Sequence, residues 1–474
     1  MSQDFSALGL SPALVQIVGE LGYSEPTPIQ ARAIPALLKG RDVIGQSKTG
    51  SGKTAAFALP ILETIELDLD LPRVLVLCPT RELCAQVTRE FRTLGRAHAG
   101  LRCLALSGGS PIRPQIDALA HGAHIIVGTP GRVLDHLRRE TLVLSRVSSL
   151  VLYEADRMLD MGFEADMEKI LGSLPKKRLS AFFSATFPES IESLSRTHQR
   201  EALRIQIEDP ESASTGIDQR VVTLRSDEKL PTLLGLLNQQ QPERALIFCN
   251  FKTSVASLYE ALADAGVSVD RLHGDLEQYD RNLILSMFRN HSLRVVVATD
   301  VVARGIDIEE LDLVVNHELP QNPDTYVHRI GRTGRAGESG LAVTIAGPRD
   351  GKKVAAIEDA LGTTLRPLQV EPLEPDADSP GLAPRMGTIQ ISGGRKDKLR
   401  PGDILGALTG ESGALEGKDI GKIEILDRVS YVAVTKALAP AAAKSLDGGT
   451  IKARRFRARL VRPACESRRR PSRG

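Results

Sequence analysis

The sequence predicts two successive α/β domains with parallel sheets, followed by a small α+β domain. Three observations carry this. The chain of 474 residues is too long for one ordinary domain. Along the first two segments, short β-branched runs alternate with helical stretches, as in sheets covered on both faces. From Met386 the apolar pattern changes to period two, the mark of half-exposed strands.

In the first segment, Arg73-Val-Leu-Val-Leu-Cys78, His124-Ile-Ile-Val-Gly128 and Leu150-Val-Leu152 read as buried parallel strands. Arg244-Ala-Leu-Ile-Phe-Cys249, Leu293-Arg-Val-Val-Val-Ala298 and Leu313-Val-Val-Asn316 do the same in the second. In the third, Thr388–Ser392, Ile420–Ile425, Tyr431–Val434 and Phe456–Leu460 alternate as strands. Pro401–Leu408 and Lys436–Lys444 supply the helices of a βαββαβ domain. Two polar stretches, Glu208–Gly216 and the Pro-rich Glu371–Pro380, lack periodicity and read as linkers. The expected organisation is 1–210, 217–370, a linker at 371–385, 386–464 and a basic tail at 465–474.

Composition narrows the function. A hydrophobic share of 42% and a charged share of 25% are those of a soluble globular protein. No apolar run is long enough to span a membrane. Met-Ser-Gln-Asp-Phe5 lacks the regions of a signal peptide, so a cytoplasmic protein is expected. Cys78, Cys84, Cys103, Cys249 and Cys465 form no CxxC pair, so neither a zinc site nor a disulfide partner is expected. The net charge of +2 hides an asymmetry. From Met386 onward there are 19 Lys and Arg against 9 Asp and Glu; the remainder has 42 against 50. A basic appendage on an acidic body points to a polyanion partner.

Ser47-Lys-Thr-Gly-Ser-Gly-Lys-Thr54 follows an apolar strand and precedes a helical stretch. In that setting the loop, with Ser47, Thr49, Gly50, Ser51 and Gly52, closes backbone N–H groups around phosphates. Lys53 supplies charge to the outer phosphates, and Thr54 can hold magnesium through its hydroxyl. About a hundred residues on, an apolar strand ends in Tyr153, Glu154 and Asp156. Acidic residues at a strand's C-terminal end present a magnesium ligand and a base to a triphosphate, and Glu154 is placed to activate water. In His328-Arg-Ile-Gly-Arg-Thr-Gly-Arg335, Arg332 and Arg335 are spaced to reach one anionic target as arginine fingers; the alternative is a basic surface turn.

Taken in order, these segments resemble the core of the DEAD-box RNA helicases, with Tyr153 where the first Asp of the Asp-Glu-Ala-Asp box would stand. The resemblance covers about residues 5–370 and implies two RecA-like domains that use ATP and Mg2+. Gly22-Tyr-Ser-Glu-Pro-Thr-Pro-Ile-Gln30, with Phe5 upstream, is similar to the adenine motif: Gln30 would bond adenine, and Tyr23 or Phe5 would pack on it. Pro79, Thr80 and Arg81, Gly109, and Thr129, Gly131 and Arg132 match RNA-backbone contacts, as do Gln278, Arg281 and Thr299 in the second domain. Asp307 would meet the ribose. Asp156, Ser184, Thr186 and His328 would couple the domains.

In Met386–Leu408, Ile420–Ile425 and Tyr431–Val434 the third segment resembles the RNA-binding domain appended to one bacterial group of DEAD-box proteins, an RNA-recognition-like fold. That resemblance implies a hairpin of 23S ribosomal RNA, and large-subunit precursor particles, as partners. Tyr431 is the sole aromatic on its central strands, as a core residue or a stacking platform. Basic loops are therefore expected to dominate: Arg395, Lys396, Lys398 and Arg400, then Lys452, Arg454 and Arg455. The final Arg468-Arg-Arg470 adds non-specific phosphate attraction. Three functions stay in view: an ATP-dependent RNA helicase, an RNA-binding assembly protein with impaired turnover, and a remodeller of DNA. Tyr153 argues for impaired turnover, because a neutral phenol is a poor magnesium ligand.

Overall fold

Continuous apolar strands require a sheet with no wet face, and the first sheet is of that kind. The computed structural model describes residues 4–47, 50–67, 71–207, 217–225, 228–300, 311–334, 340–374, 382–410 and 415–463. Two units are distinguished, Met1–Pro210 and Glu211–Gly474. In the first, β1 (Val43–Gln46), β2 (Val74–Leu77), β3 (Cys103–Leu106), β4 (Ile125–Gly128), β5 (Ser149–Tyr153), β6 (Leu179–Ser184) and β7 (Leu203–Gln206) lie in the order β3-β4-β2-β5-β6-β1-β7. Every pairing among them is parallel. Val74, Val76 and Val151 face Ile34, Phe57 and Phe91 on one side; Leu75, Leu77 and Leu152 face Val133, Met167 and Ile170 on the other.

The second unit repeats the plan. Strands β8 (Ile217–Thr223), β9 (Ala245–Cys249), β10 (Val269–Leu272), β11 (Val295–Thr299), β12 (Leu313–Asn316), β13 (Gly340–Ala346) and β14 (Arg366–Pro367) form a parallel sheet ordered β10-β11-β9-β12-β13-β8-β14. The small domain follows in the same unit. Its strands β15 (Met386–Ile391), β16 (Ile420–Ile425), β17 (Ser430–Thr435) and β18 (Ala458–Val461) pair antiparallel in the order β16-β17-β15-β18. The predicted strands named above lie within two residues of these bounds. The second small-domain helix differs: it spans Ala439–Gly448, with Pro440 in the first turn, where its missing N–H costs nothing.

One further expectation is corrected. Period-two strands were expected to be half exposed, yet every residue of β17 from Ser430 to Val434 is buried. A helix of the preceding domain covers the second sheet face. The 371–385 linker is also held at its described ends: Leu373 and Leu382 pack on the second domain's core, and the Arg294 guanidinium donates to the Ala383 carbonyl at 3.2 Å. A Pro-rich acidic string conceals the two leucines that tie it down.

Candidate nucleotide and RNA site

Strand order places the first site. In β5-β6-β1 the phosphate loop leaves β1, Glu154 leaves β5 and Ser184 closes β6. Register keeps these ends level, with Gln46 opposite Ser184 and Tyr153 opposite Phe183. Ligands of open α/β sheets collect at such carboxyl edges. Ser47 Oγ lies 2.8 Å from Ser51 Oγ, and Lys53 Nζ donates to the Ser47 carbonyl at 2.5 Å, holding the ammonium over the loop. Gln30 Nε2 donates to the Gly52 carbonyl at 3.1 Å, joining the adenine motif to the phosphate loop. Gly50 and Gly52 both have positive φ. Tyr23 is 37% exposed and its hydroxyl donates to Glu90 at 3.0 Å, whereas Phe5 is buried in the core. Of the two adenine-packing candidates, Tyr23 offers the accessible ring. Thr49 lies outside the described residues.

Glu154 sits at a strand-to-helix elbow with φ 56° and ψ 53°, a left-handed backbone that costs a non-glycine residue about 1–2 kcal/mol. Its N–H donates to the Phe183 carbonyl at 2.8 Å, and its carboxylate accepts from the buried Arg157 guanidinium at 2.6 Å. Two residues on, Asp156 Oδ2 accepts from the Thr186 N–H at 3.0 Å and its hydroxyl at 2.9 Å, while Ser184 Oγ accepts from the Asp156 N–H. The expected coupling trio is thus one hydrogen-bonded knot. Sequence reasoning passed over Arg157; its signal was a basic residue at i+3 from Glu154 within a buried turn.

Tyr153 fills the place of the missing carboxylate. Its ring packs edge-on against Phe57, with centroids 5.3 Å apart, and its hydroxyl accepts from Thr54 Oγ1 at 3.3 Å. Burial, with the Glu154 charge beside it, pushes the phenol well above its ordinary pKa, so it stays neutral. Magnesium takes hard oxygens in near-octahedral array. Here the chain offers one threonine hydroxyl, already bonded to a neutral phenol, while Glu154 is engaged by Arg157. Thr54 is the chain's own hydroxyl placed to hold magnesium, whose other oxygens would come from nucleotide phosphates and water.

The other half of the same edge, β3-β4-β2, gathers the expected RNA-backbone residues. Pro79 and Thr80 follow β2, Gly109 follows β3, and Thr129, Gly131 and Arg132 follow β4. Thr80 Oγ1 caps the Arg81–Leu94 helix by accepting from the Leu83 N–H at 3.3 Å. Arg132 donates to Gln115 Oε1 at 3.1 Å and to the Ser110 carbonyl, and Gln115 itself donates to the Ser107 carbonyl. Gln115, in the first turn of the Arg113–Ala120 helix, carried no sequence signal. The Arg81 guanidinium lies across Gly109: a Cβ there would come within 1.5 Å of Arg81 Nη1, at φ +76°. Gly109→Ala is therefore expected to displace Arg81 and cost about 1–2 kcal/mol of stability, read as a lower thermal midpoint with weaker single-strand RNA binding.

In the second unit, Gln278 and Arg281 lie on the Gln278–Arg289 helix; Gln278 donates to Asn282 at 3.0 Å and Arg281 is buried. Thr299 ends β11, and His328 closes the last turn of the Pro323–Ile330 helix. Arg332 is buried, which does not fit a solvated basic turn. Asp307 and Arg335 lie outside the described residues. The hub of this edge is Arg329, which donates to both Asp300 oxygens at 2.7 and 2.8 Å, to Asn250 Oδ1 at 2.7 Å and to the Glu318 carbonyl at 2.6 Å. It ties together the ends of β9, β11 and β12. Its signal was its place three residues after the buried Tyr326.

In the small domain, the loop after β15 and the turn before β18 meet at one end of the sheet. Lys452 Nζ donates to the Lys398 carbonyl at 3.4 Å and Arg454 donates to the Asp397 carbonyl at 3.2 Å. Arg395, Lys396, Lys398, Arg400, Lys452, Arg454 and Arg455 are all exposed there. Tyr431 is fully buried and so offers no open stacking platform in this arrangement. Arg468–Arg470 lie outside the described residues.

A phosphate loop, an acidic elbow and a basic sheet edge on tandem parallel sheets are the features of a helicase-type nucleotide hydrolase. The sequence matches the DEAD/DEAH box helicase family over residues 27–194 and the helicase conserved C-terminal domain over 228–337. Residues 388–460 match the DbpA RNA binding domain. The chain belongs to the DEAD-box ATP-dependent RNA helicase family. It is 47% identical over 459 residues to the ATP-dependent RNA helicase DbpA of Escherichia coli (strain K12), covering 97% of this chain and 99% of that protein. The Bacillus subtilis (strain 168) protein of the same name is 36% identical, covering 96% and 98%. Among solved structures, Saccharomyces cerevisiae Dbp5 bound to RNA and ADP BeF3 is similar with a TM-score of 0.68 at 31% identity, covering 77% of this chain and 96% of that one.

Proposed function

We propose that this chain uses ATP to grip and release RNA, remodelling short duplexes of 23S ribosomal RNA during assembly of the large subunit in the cytoplasm. The observation that carries the reading is one sheet edge. It bears the phosphate loop, Glu154 and the Asp156–Thr186 knot on one half and Arg81, Gly109 and Arg132 on the other. Lys53 steadies the phosphates and Glu154 takes the proton of the attacking water. Arg332 and Arg335 neutralise charge that develops on the transferred group. The first set lies in one α/β domain and the arginines in the next, so ATP turnover is expected to need both domains. Contacts to backbone phosphates carry no sequence information, so choice of RNA falls to the basic end of the small domain.

A second reading, an RNA-binding assembly protein with little turnover, is favoured by Tyr153 and its bond to Thr54. The test is ATP hydrolysis with and without a 23S fragment, set against an unrelated RNA and a deoxyribose strand. The fragment is expected to stimulate most and the deoxyribose strand not at all; equal stimulation by all three overturns the ribosomal assignment. Replacing Arg395, Lys396 and Lys398 by Ala is expected to weaken fragment binding and reduce the slope of log affinity against log salt by about one per lost phosphate contact.

A further inference from the structure

The two faces of the small sheet have different neighbours. Ile389, Ile391, Val432 and Val434 point to the domain's own helices, packing with Ile404, Leu408, Ala442 and Leu446. The alternating set on the opposite face meets the Gln278–Arg289 helix and Asn290 of the second α/β domain. Tyr279 donates to Gln390 Oε1 at 2.9 Å, Ser286 donates to Glu424 Oε2 at 2.6 Å, and Arg289 donates to Glu424 Oε1 at 3.1 Å. Asn290 Nδ2 donates to the buried Thr388 Oγ1 at 2.9 Å. Tyr279, Ser286 and Arg289 recur at helical spacing, so one stripe of the helix supplies the contacts. Val461 of the small domain, like Leu276 and Leu283, packs against the core cluster of the second α/β domain that includes Ile284 and Leu285. A buried amide–hydroxyl pair and a part-buried carboxylate of this kind fix a register better than they add affinity.

That same helix begins with Gln278 and carries Arg281. The exposed basic residues of the loop after β15 and of the turn before β18 sit together at the end of the sheet. We propose that the small domain's sheet face is a dock for this helix and not a platform for bases. The dock holds the basic end at a set distance from Gln278 and Arg281. A hairpin and its adjoining single strand are then bound as a measured pair, with an effective concentration set by the dock and not by a floppy tether. This rests on reading Gln278, Arg281 and the basic end as RNA contacts.

The test uses the full chain with a non-hydrolysable ATP analogue. The probe is a 23S hairpin bearing single-stranded extensions of graded length on either side. Hydrogen exchange is followed in residues 278–290 and 430–435. In the wild type, both segments exchange slowly, the bare hairpin leaves them so, and an extension raises affinity about tenfold or more on one side with a length optimum. Glu424→Arg sets a cation against Arg289 and removes the acceptor of Ser286. It is expected to speed exchange about tenfold, leave bare-hairpin affinity within about threefold and flatten the extension gain. Arg289→Glu with Glu424→Arg is expected to restore both. Faster exchange on adding the bare hairpin to the wild type overturns the proposal, because the sheet face is then what RNA reads. Loosened exchange in Glu424→Arg with the extension gain intact also overturns it. An extension that adds nothing in the wild type instead overturns the reading of Gln278 and Arg281, while the exchange data still score the dock.

Discussion

Tyr153→Asp is expected to raise RNA-stimulated ATP turnover by about a hundred- to thousandfold. The change sets a carboxylate beside Thr54, where the chain now offers only a neutral phenol and a hydroxyl bonded to it. One preorganised transition-state contact is worth about 3–4 kcal/mol, which sets the size of the gain. The gain should come with a loss of stability. Asp leaves a void beside Phe57 and forfeits the edge-on ring contact at 5.3 Å, a truncation costing about 2–4 kcal/mol in a packed core. Tyr153→Phe is the control: it keeps the ring, drops only a 3.3 Å hydrogen bond, and should leave turnover within about threefold. The measurement is steady-state phosphate release at saturating ATP and RNA, alongside thermal unfolding. Equal turnover in Tyr153→Asp and the parent would sink this account of the missing carboxylate.

The nucleotide half of the site was legible because its chemistry is local. A phosphate loop is eight consecutive residues, and Glu154 and Asp156 follow a strand that any apolar run announces. What holds these groups was not legible. Arg157, Gln115 and Arg329 reach their partners through folded turns and strand ends, and in sequence each resembles an ordinary surface residue. Strands such as β3 and β7 were also missed, since Cys103–Leu106 and Leu203–Gln206 are four residues each, with no run of β-branched residues. The small domain shows the limit of period two most plainly. Thr388, Gln390 and Glu424 have the polar alternation of a wet sheet face, yet they meet Asn290, Tyr279 and Ser286 about a hundred or more residues earlier in the chain. A polar pattern says that a face needs hydrogen bonds; it does not say whether water or another domain supplies them.

Placed on the Tyr153→Asp background, Glu154→Gln is expected to lower turnover by about 10²- to 10⁴-fold, the range for removing a positioned general base. The side chain keeps its shape, and its carbonyl oxygen can still accept from Arg157, so the elbow at φ 56° is retained. What disappears is the negative charge that would take a proton from water. If Glu154 acts as the base, nucleotide and RNA still bind together while the step that precedes release is blocked. RNA should therefore dissociate more slowly in the presence of ATP than from the Tyr153→Asp parent. A role confined to pairing with Arg157 predicts otherwise: removing that charge would leave a buried guanidinium poorly compensated, lower the thermal midpoint and weaken RNA binding together with turnover. Stopped-flow release of a labelled RNA strand, read beside the unfolding curve, separates the two. Turnover within about threefold of the parent would remove Glu154 from the chemical step altogether.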